Sequence, residues 1–170
     1  MTLSDLLRLQ FKEAHGRLEE VLAGLSSEQA HWLPPGKPSP IAAQYIHVLI
    51  SEDGVMSHLA GRRALAEGDY AGRLGCSEVP PYFDWEDWGR RVRVEMAAAQ
   101  AYAHAVYAQT DAYLATLGPE AVAEVLDLNA IGMGESGRGT ALTWMLENIY
   151  VHTGEIACLK GLQGLTGYGL

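Results

Sequence analysis

The chain has 170 residues, 48% hydrophobic and 19% charged, a globular balance that excludes disorder as its main state and suits one domain spanning residues 1–170. Its 12 Lys and Arg against 21 Asp and Glu give a net charge of −9, which repels dense phosphate charge and excludes nucleic acid as a partner. The longest stretch without a charged residue, residues 96–110, has 15 members, short of the ~18 apolar residues of a membrane span, so no membrane partner is expected.

The first residues carry no basic stretch followed by an apolar core, and Cys76 and Cys158 make no disulfide framework; both features fit a reduced, cytoplasmic setting. Leu7, Phe11, Ala14, Leu18, Val21, Leu22 and Leu25 recur every three or four residues, predicting a first helix from an N-cap at Ser4 to about residue 24. Ser26 and Gln29 have capping-box spacing for a short helical turn, which the proline-rich residues 32–38 then break. Ser39 followed by Pro40 reads as N-cap and first helical position of a second helix ending near Gly68.

Residues 67–81 read as a loop from their glycines and prolines. Asp84 is placed to cap a third helix, whose seam of Trp85, Trp88, Val92, Met96, Ala99, Ala103, Val106, Thr110, Tyr113 and Leu117 predicts one continuous element stopped by Gly118-Pro119. That long seam also predicts a homodimer, since it offers more apolar length than one bundle requires. Residues 120–128 read as a short helix, residues 132–139 as a glycine-rich connector, and Thr140 as the cap of a fourth long helix reaching about Gly161. Four amphipathic helices without a convincing strand predict an all-α four-helix bundle with long connections.

On the fourth helix, His152 and Glu155 fall within about 40° of Asn148, on a stripe shared with Ala141, Trp144, Met145 and Leu159, and all three are so expected on the core face. Polar groups buried there need partners or a metal. His47 lies about 120° off the main stripe of the second helix, yet that helix is apolar nearly all round, so His47 can face a neighbouring helix. One His from helix two and an i, i+4 polar pair from helix four is an arrangement by which bundles hold metals, and hydrogen-bonded core histidines are the alternative. His15 reads as a packing residue, His31 as a solvated loop histidine, His104 as exposed, and Cys158 as a small core residue.

The segment LSSEQAHWLPPGKPSPIAAQYIHVLISEDGVMSHLAG, with Ser39, Ile41, Ala42, His47 and Glu52 in order, resembles the DinB/YfiT-like four-helix bundles. The segment WMLENIYVHTGEIACLKGLQG, through His152, Gly154, Ile156, Leu159 and Lys160, resembles the last helix of that family. The resemblance implies a left-handed bundle with a divalent metal, nickel or zinc, at positions matching His47, Asn148 and His152. Glu155, on the same stripe one turn past His152, can take the vacant ligand place or orient His152, and Glu52, about 140° from His47, is a further supporting carboxylate. It further implies a small-molecule substrate and a metal-dependent activity, such as thiol transfer with mycothiol- or bacillithiol-like cofactors, or hydrolysis. Asn148 departs from the family, where histidine or glutamate is usual, and a neutral amide oxygen is a weak ligand for either metal. The competing expectation is therefore a non-catalytic bundle with a degenerate metal site, acting as a ligand-binding or dimeric interaction module.

Overall fold

Thr2 and Asp5 begin the first helix by satisfying each other's backbone donors, the hydroxyl accepting from Asp5 N at 3.1 Å and the carboxylate from Thr2 N at 2.8 Å. In the computed structural model, which describes residues 1–81 and 85–168, α1 accordingly spans Leu3–Leu22 with Thr2 as its cap. Ser4, the expected cap, instead donates its hydroxyl to the Leu114 carbonyl. The short α2 (Ser27–Ala30) carries the expected Ser26–Gln29 capping box.

α3 spans Ile41–Leu59, one residue later than Ser39-Pro40 predicts, with Pro40 in the cap position and no side-chain cap. Ser39 packs directly on Gly89, where even a Cβ would collide with its side chain, so its hydroxyl is not turned to the helix. The helix also stops well before Gly68. Gly61 takes a left-handed φ of 63°, and the buried Asp53 carboxylate accepts from Leu65 N and Ala66 N, folding the chain back as a 3-10 turn at Leu65–Glu67.

The predicted third helix is two helices, α4 (Trp85–Arg91) and α5 (Met96–Leu114). Between them the chain is extended: Val94 bridges Cys76, Ser77 N donates to the Arg93 carbonyl at 2.8 Å, and Glu95 N donates to the Gly75 carbonyl. Glu95 then caps α5 by accepting from Ala98 N at 2.9 Å. Asp84, the expected cap of α4, lies outside the described residues. Trp88, Val92, Ala99, Ala103, Val106, Thr110, Tyr113 and Leu117 are all buried within the chain, so the seam that suggested a dimer is largely covered by its own bundle.

α6 (Pro119–Ala123) uses Gly118 as cap and Pro119 as first residue, and is shorter than predicted because Val125–Asp127 forms a strand, β1. The glycine-rich connector holds its partner, β2 (Glu135–Gly137), antiparallel in the register Val125↔Gly137, Leu126↔Ser136 and Asp127↔Glu135. β2 runs straight into α7 (Arg138–Leu162), so Gly137 rather than Thr140 is the cap residue. Arg138 fixes the junction by donating to the carbonyls of Leu59 and Ala121 and to the Glu124 carboxylate.

Apart from this hairpin the architecture is the expected all-α bundle. α1 packs on α5 and α7, and α3 packs on the same two, enclosing a core that includes Phe11, Leu18, Ile46, Leu49, Met56, Leu114 and Leu142. Among the described residues no helix is long and apolar enough to cross a membrane.

Candidate functional site

α3 and α7 pack side by side, and their contact brings two of the predicted ligands together. The rings of His47 and His152 lie 4.8 Å apart between centroids, at 85° to each other. His47 is also edge-on to Trp85 at 4.0 Å, and Trp85 to Trp88 at 5.5 Å. Burial, and then the neighbouring His152, push the His47 pKa down to about 4. The imidazole is therefore neutral near pH 7, the form that can donate a lone pair.

His152 Nδ1 lies 2.7 Å from Glu155 Oε2. An ionised carboxylate only accepts, so the ring proton sits on Nδ1 and Nε2 keeps its lone pair. His47 Nδ1 is 3.4 Å from Ser51 Oγ. In neither ring does a described residue hydrogen-bond Nε2. Asn148 stands one turn before His152, and its Oδ1 is buried without any hydrogen-bond partner. Two imidazole nitrogens and an amide oxygen are donors that zinc or nickel accepts, although the amide is the weakest of the three.

The α7 core face differs from the expected one. Ala141, Leu142, Met145, Ile149, Thr153, Ile156 and Leu159 are buried, whereas Trp144 is 41% exposed and Glu155 and Cys158 are exposed. The buried face is turned roughly 80° from Asn148, so the polar stripe runs along the α3 edge of the core, and Cys158 is not a core residue. Leu142, Ile149, Thr153 and Ile156 set the core direction, and Trp144 falls outside it.

Glu52 does not join His47. It points to the opposite side of α3, where His15 Nε2 lies 3.0 Å from both carboxylate oxygens and Thr110 donates at 2.6 Å. His15 stacks on Tyr107 at 3.8 Å between ring centroids, a packing role as expected. His31 is a brace rather than a solvated side chain: Nδ1 lies 2.8 Å from the Ser27 carbonyl, and Nε2 accepts from Val94 N. Among the described residues no three His, Cys, Asp or Glu side chains are grouped to hold a metal, so a third donor to the two histidines has to be an amide, water or ligand.

A cavity of about 410 Å³ opens beside the histidines, bounded by the start of α3, by α4 and by the last turns of α7. In its wall, Trp85 and Trp88 are read from the sequence only as seam residues of the third helix, and Gln44 carries no reading. Gln44 is the findable one, the one polar residue besides His47 in the run 41–50 and one turn before it. A larger cleft of about 1320 Å³ lies between the 25–33 and 72–77 segments. It offers less chemistry, since both His31 nitrogens are engaged and burial pushes the Cys76 thiol up.

A family model described as the DinB superfamily matches residues 10–156. Among solved structures, a conserved protein from Enterococcus faecalis shares the fold with a TM-score of 0.79 at 21% identity, over 94% of this chain and 96% of that one. No curated protein matches the chain.

Proposed function

This chain belongs to the DinB superfamily, and from that premise we propose that it is a divalent-metal-dependent enzyme whose cation, zinc or nickel, is held by His47, Asn148 and His152. The observation that carries the reading is the pair of imidazoles 4.8 Å apart, drawn from two helices and meeting at a cavity wall. When bound, such a cation supplies Lewis acidity, generating an anionic nucleophile from water or a small thiol near neutral pH. That chemistry serves hydrolysis and thiol transfer alike.

The chain's own residues prepare the site. Glu155 fixes the tautomer of His152 and raises the basicity of its Nε2. Burial keeps His47 unprotonated, so no proton has to leave before it ligates. Trp85, backed by the buried Trp88, covers one side of His47 and gives a substrate an apolar wall. Asn148 brings an unpartnered oxygen that a cation would satisfy.

The second reading, a non-catalytic ligand-binding module, is favoured by the same Asn148, because a neutral amide adds little affinity. Calorimetric titration of chelator-stripped protein with zinc and nickel separates the two. The enzyme reading expects one site per chain with a Kd of about 1 μM or tighter, weakened at least about a hundredfold in His152→Ala. Absence of saturable binding, or equal binding by that variant, overturns it and leaves the module.

A further inference from the structure

The cavity beside the histidines has a composition that selects among ligands. Of the side chains lining it, only Glu155 carries a formal charge, and no Lys or Arg faces it among the described residues. The positive end of α3 and the negative end of α7 meet at this cavity, so their dipoles oppose each other and leave no net preference for an anion. Trp88 is 1% exposed and donates its Nε1–H to the Glu78 carbonyl, so it backs the cavity wall from within the core. Trp85 stands edge-on to it and to His47.

One wall residue has an unmet need. Gln44 is 6% exposed, and its Nε2 donates to the Ser39 carbonyl at 3.0 Å. A carbonyl can only accept, which fixes the amide orientation and leaves Oε1 as the buried acceptor without a donor. Such an atom is costly to bury unless something else supplies an N–H or O–H.

We infer that the cavity of the metal-free protein takes an uncharged or cationic aromatic ligand whose ring packs on Trp85, braced from behind by Trp88, and whose N–H or O–H donor satisfies Gln44 Oε1. A volume of about 410 Å³ suits a small organic molecule rather than a peptide or a macromolecule. The inference rests on the proposed function only in taking the cleft next to His47 and His152 as the working site, and it concerns that cleft without metal, because a bound divalent cation adds its own charge and weakens the discrimination against anions. Gln44 is a specificity-determining residue in this account, and Glu155 discriminates against anions.

The test uses four matched probes, benzyl alcohol, benzylamine, toluene and benzoate, titrated into the metal-free full chain. Binding is read from the NMR shifts of the Trp85 and Trp88 indole N–H and Gln44 side-chain amide signals. Benzyl alcohol and benzylamine are expected to shift these signals. Toluene, lacking the donor, should bind about five- to tenfold more weakly, the worth of one hydrogen bond. Benzoate should bind about tenfold more weakly than benzylamine, or not at all.

Gln44→Leu should erase the preference for benzyl alcohol over toluene. Glu155→Gln, a change at an exposed side chain that leaves the core intact, should narrow the gap between benzylamine and benzoate. Benzoate binding as tightly as benzylamine, an alcohol preference that survives Gln44→Leu, or probes that leave the Trp85 and Trp88 signals unmoved would each overturn the inference. Because the probes are titrated without metal and the metal without probes, loss of one result leaves the other legible.

Discussion

Asn148 holds a buried oxygen with no donor one helical turn before a histidine whose Nδ1 is already committed to Glu155. Replacing it with histidine breaks no side-chain hydrogen bond among the described residues and creates an i, i+4 imidazole pair able to reach one ion. Asn148→His should therefore tighten zinc or nickel binding at least about tenfold, roughly 1.4 kcal/mol. Metal-free stability should move by less than about 0.5 kcal/mol. Titration and urea unfolding of both proteins check the two halves, and unchanged affinity would mean that His47 and His152 do not share an ion. At this scale much of the pairing was legible: the i, i+4 spacing and the family motif pointed to His47, Asn148 and His152, and the structure brings the two histidine rings together. Trp85, Trp88 and Gln44 were not seen as one wall, because only packing of α4 against the start of α3 makes them neighbours.

The break between α4 and α5 shows how a helical pattern conceals an extended one. Steps of four from Trp88 to Val92 to Met96 satisfy a helix, but residues 91–95 also alternate charged and apolar as Arg-Val-Arg-Val-Glu, and in the structure Val92 and Val94 are buried while Arg91, Arg93 and Glu95 are exposed. That period of two marks a strand, and β-branched valines favour it. The extended piece is held by the 75–77 turn, which needs Gly75. Its φ is 81°, and a Cβ there would come within 2.8 Å of the Glu95 carbonyl. Gly72 has a similar φ of 72° but open space around it. A left-handed alanine alone costs about 1–2 kcal/mol, so Gly72→Ala should lose about that much. Gly75→Ala should lose at least about 2 kcal/mol more, since backbone on both sides must shift. Urea midpoints at unchanged m-value measure the difference, and equal losses would mean that the turn does not anchor α5.

Across the whole molecule, the periodicity that gave the four-helix class was sufficient because each long helix buries one broad face. It was insufficient for α3, which is buried nearly all round and carries Glu52 and Asp53 into the interior, 0% and 1% exposed. Two adjacent acids in an apolar run read as an interruption, yet they leave the helix about 100° apart and organise different sets of donors. Glu52 receives His15 of α1 and Thr110 of α5. Asp53 receives four donors, Ser57 Oγ and Leu65 N on Oδ1, and Ala66 N and Tyr102 Oη on Oδ2. The donor geometry predicts unequal sensitivity to the loss of one oxygen. In Asp53→Asn either orientation of the amide sets an NH₂ against a backbone N–H, which leaves buried donors facing each other and should cost about 3 kcal/mol. In Glu52→Gln the oxygen can occupy the Oε1 position and keep Thr110, while the NH₂ in the Oε2 position donates to His15 Nε2 once that ring carries its proton on Nδ1, and the loss should be about 1 kcal/mol. Urea unfolding followed by tryptophan fluorescence and far-UV circular dichroism measures both, with coincident transitions confirming that one cooperative unit is being compared. Equal losses would mean that removing a buried negative charge, and not the number of donors it organises, sets the cost.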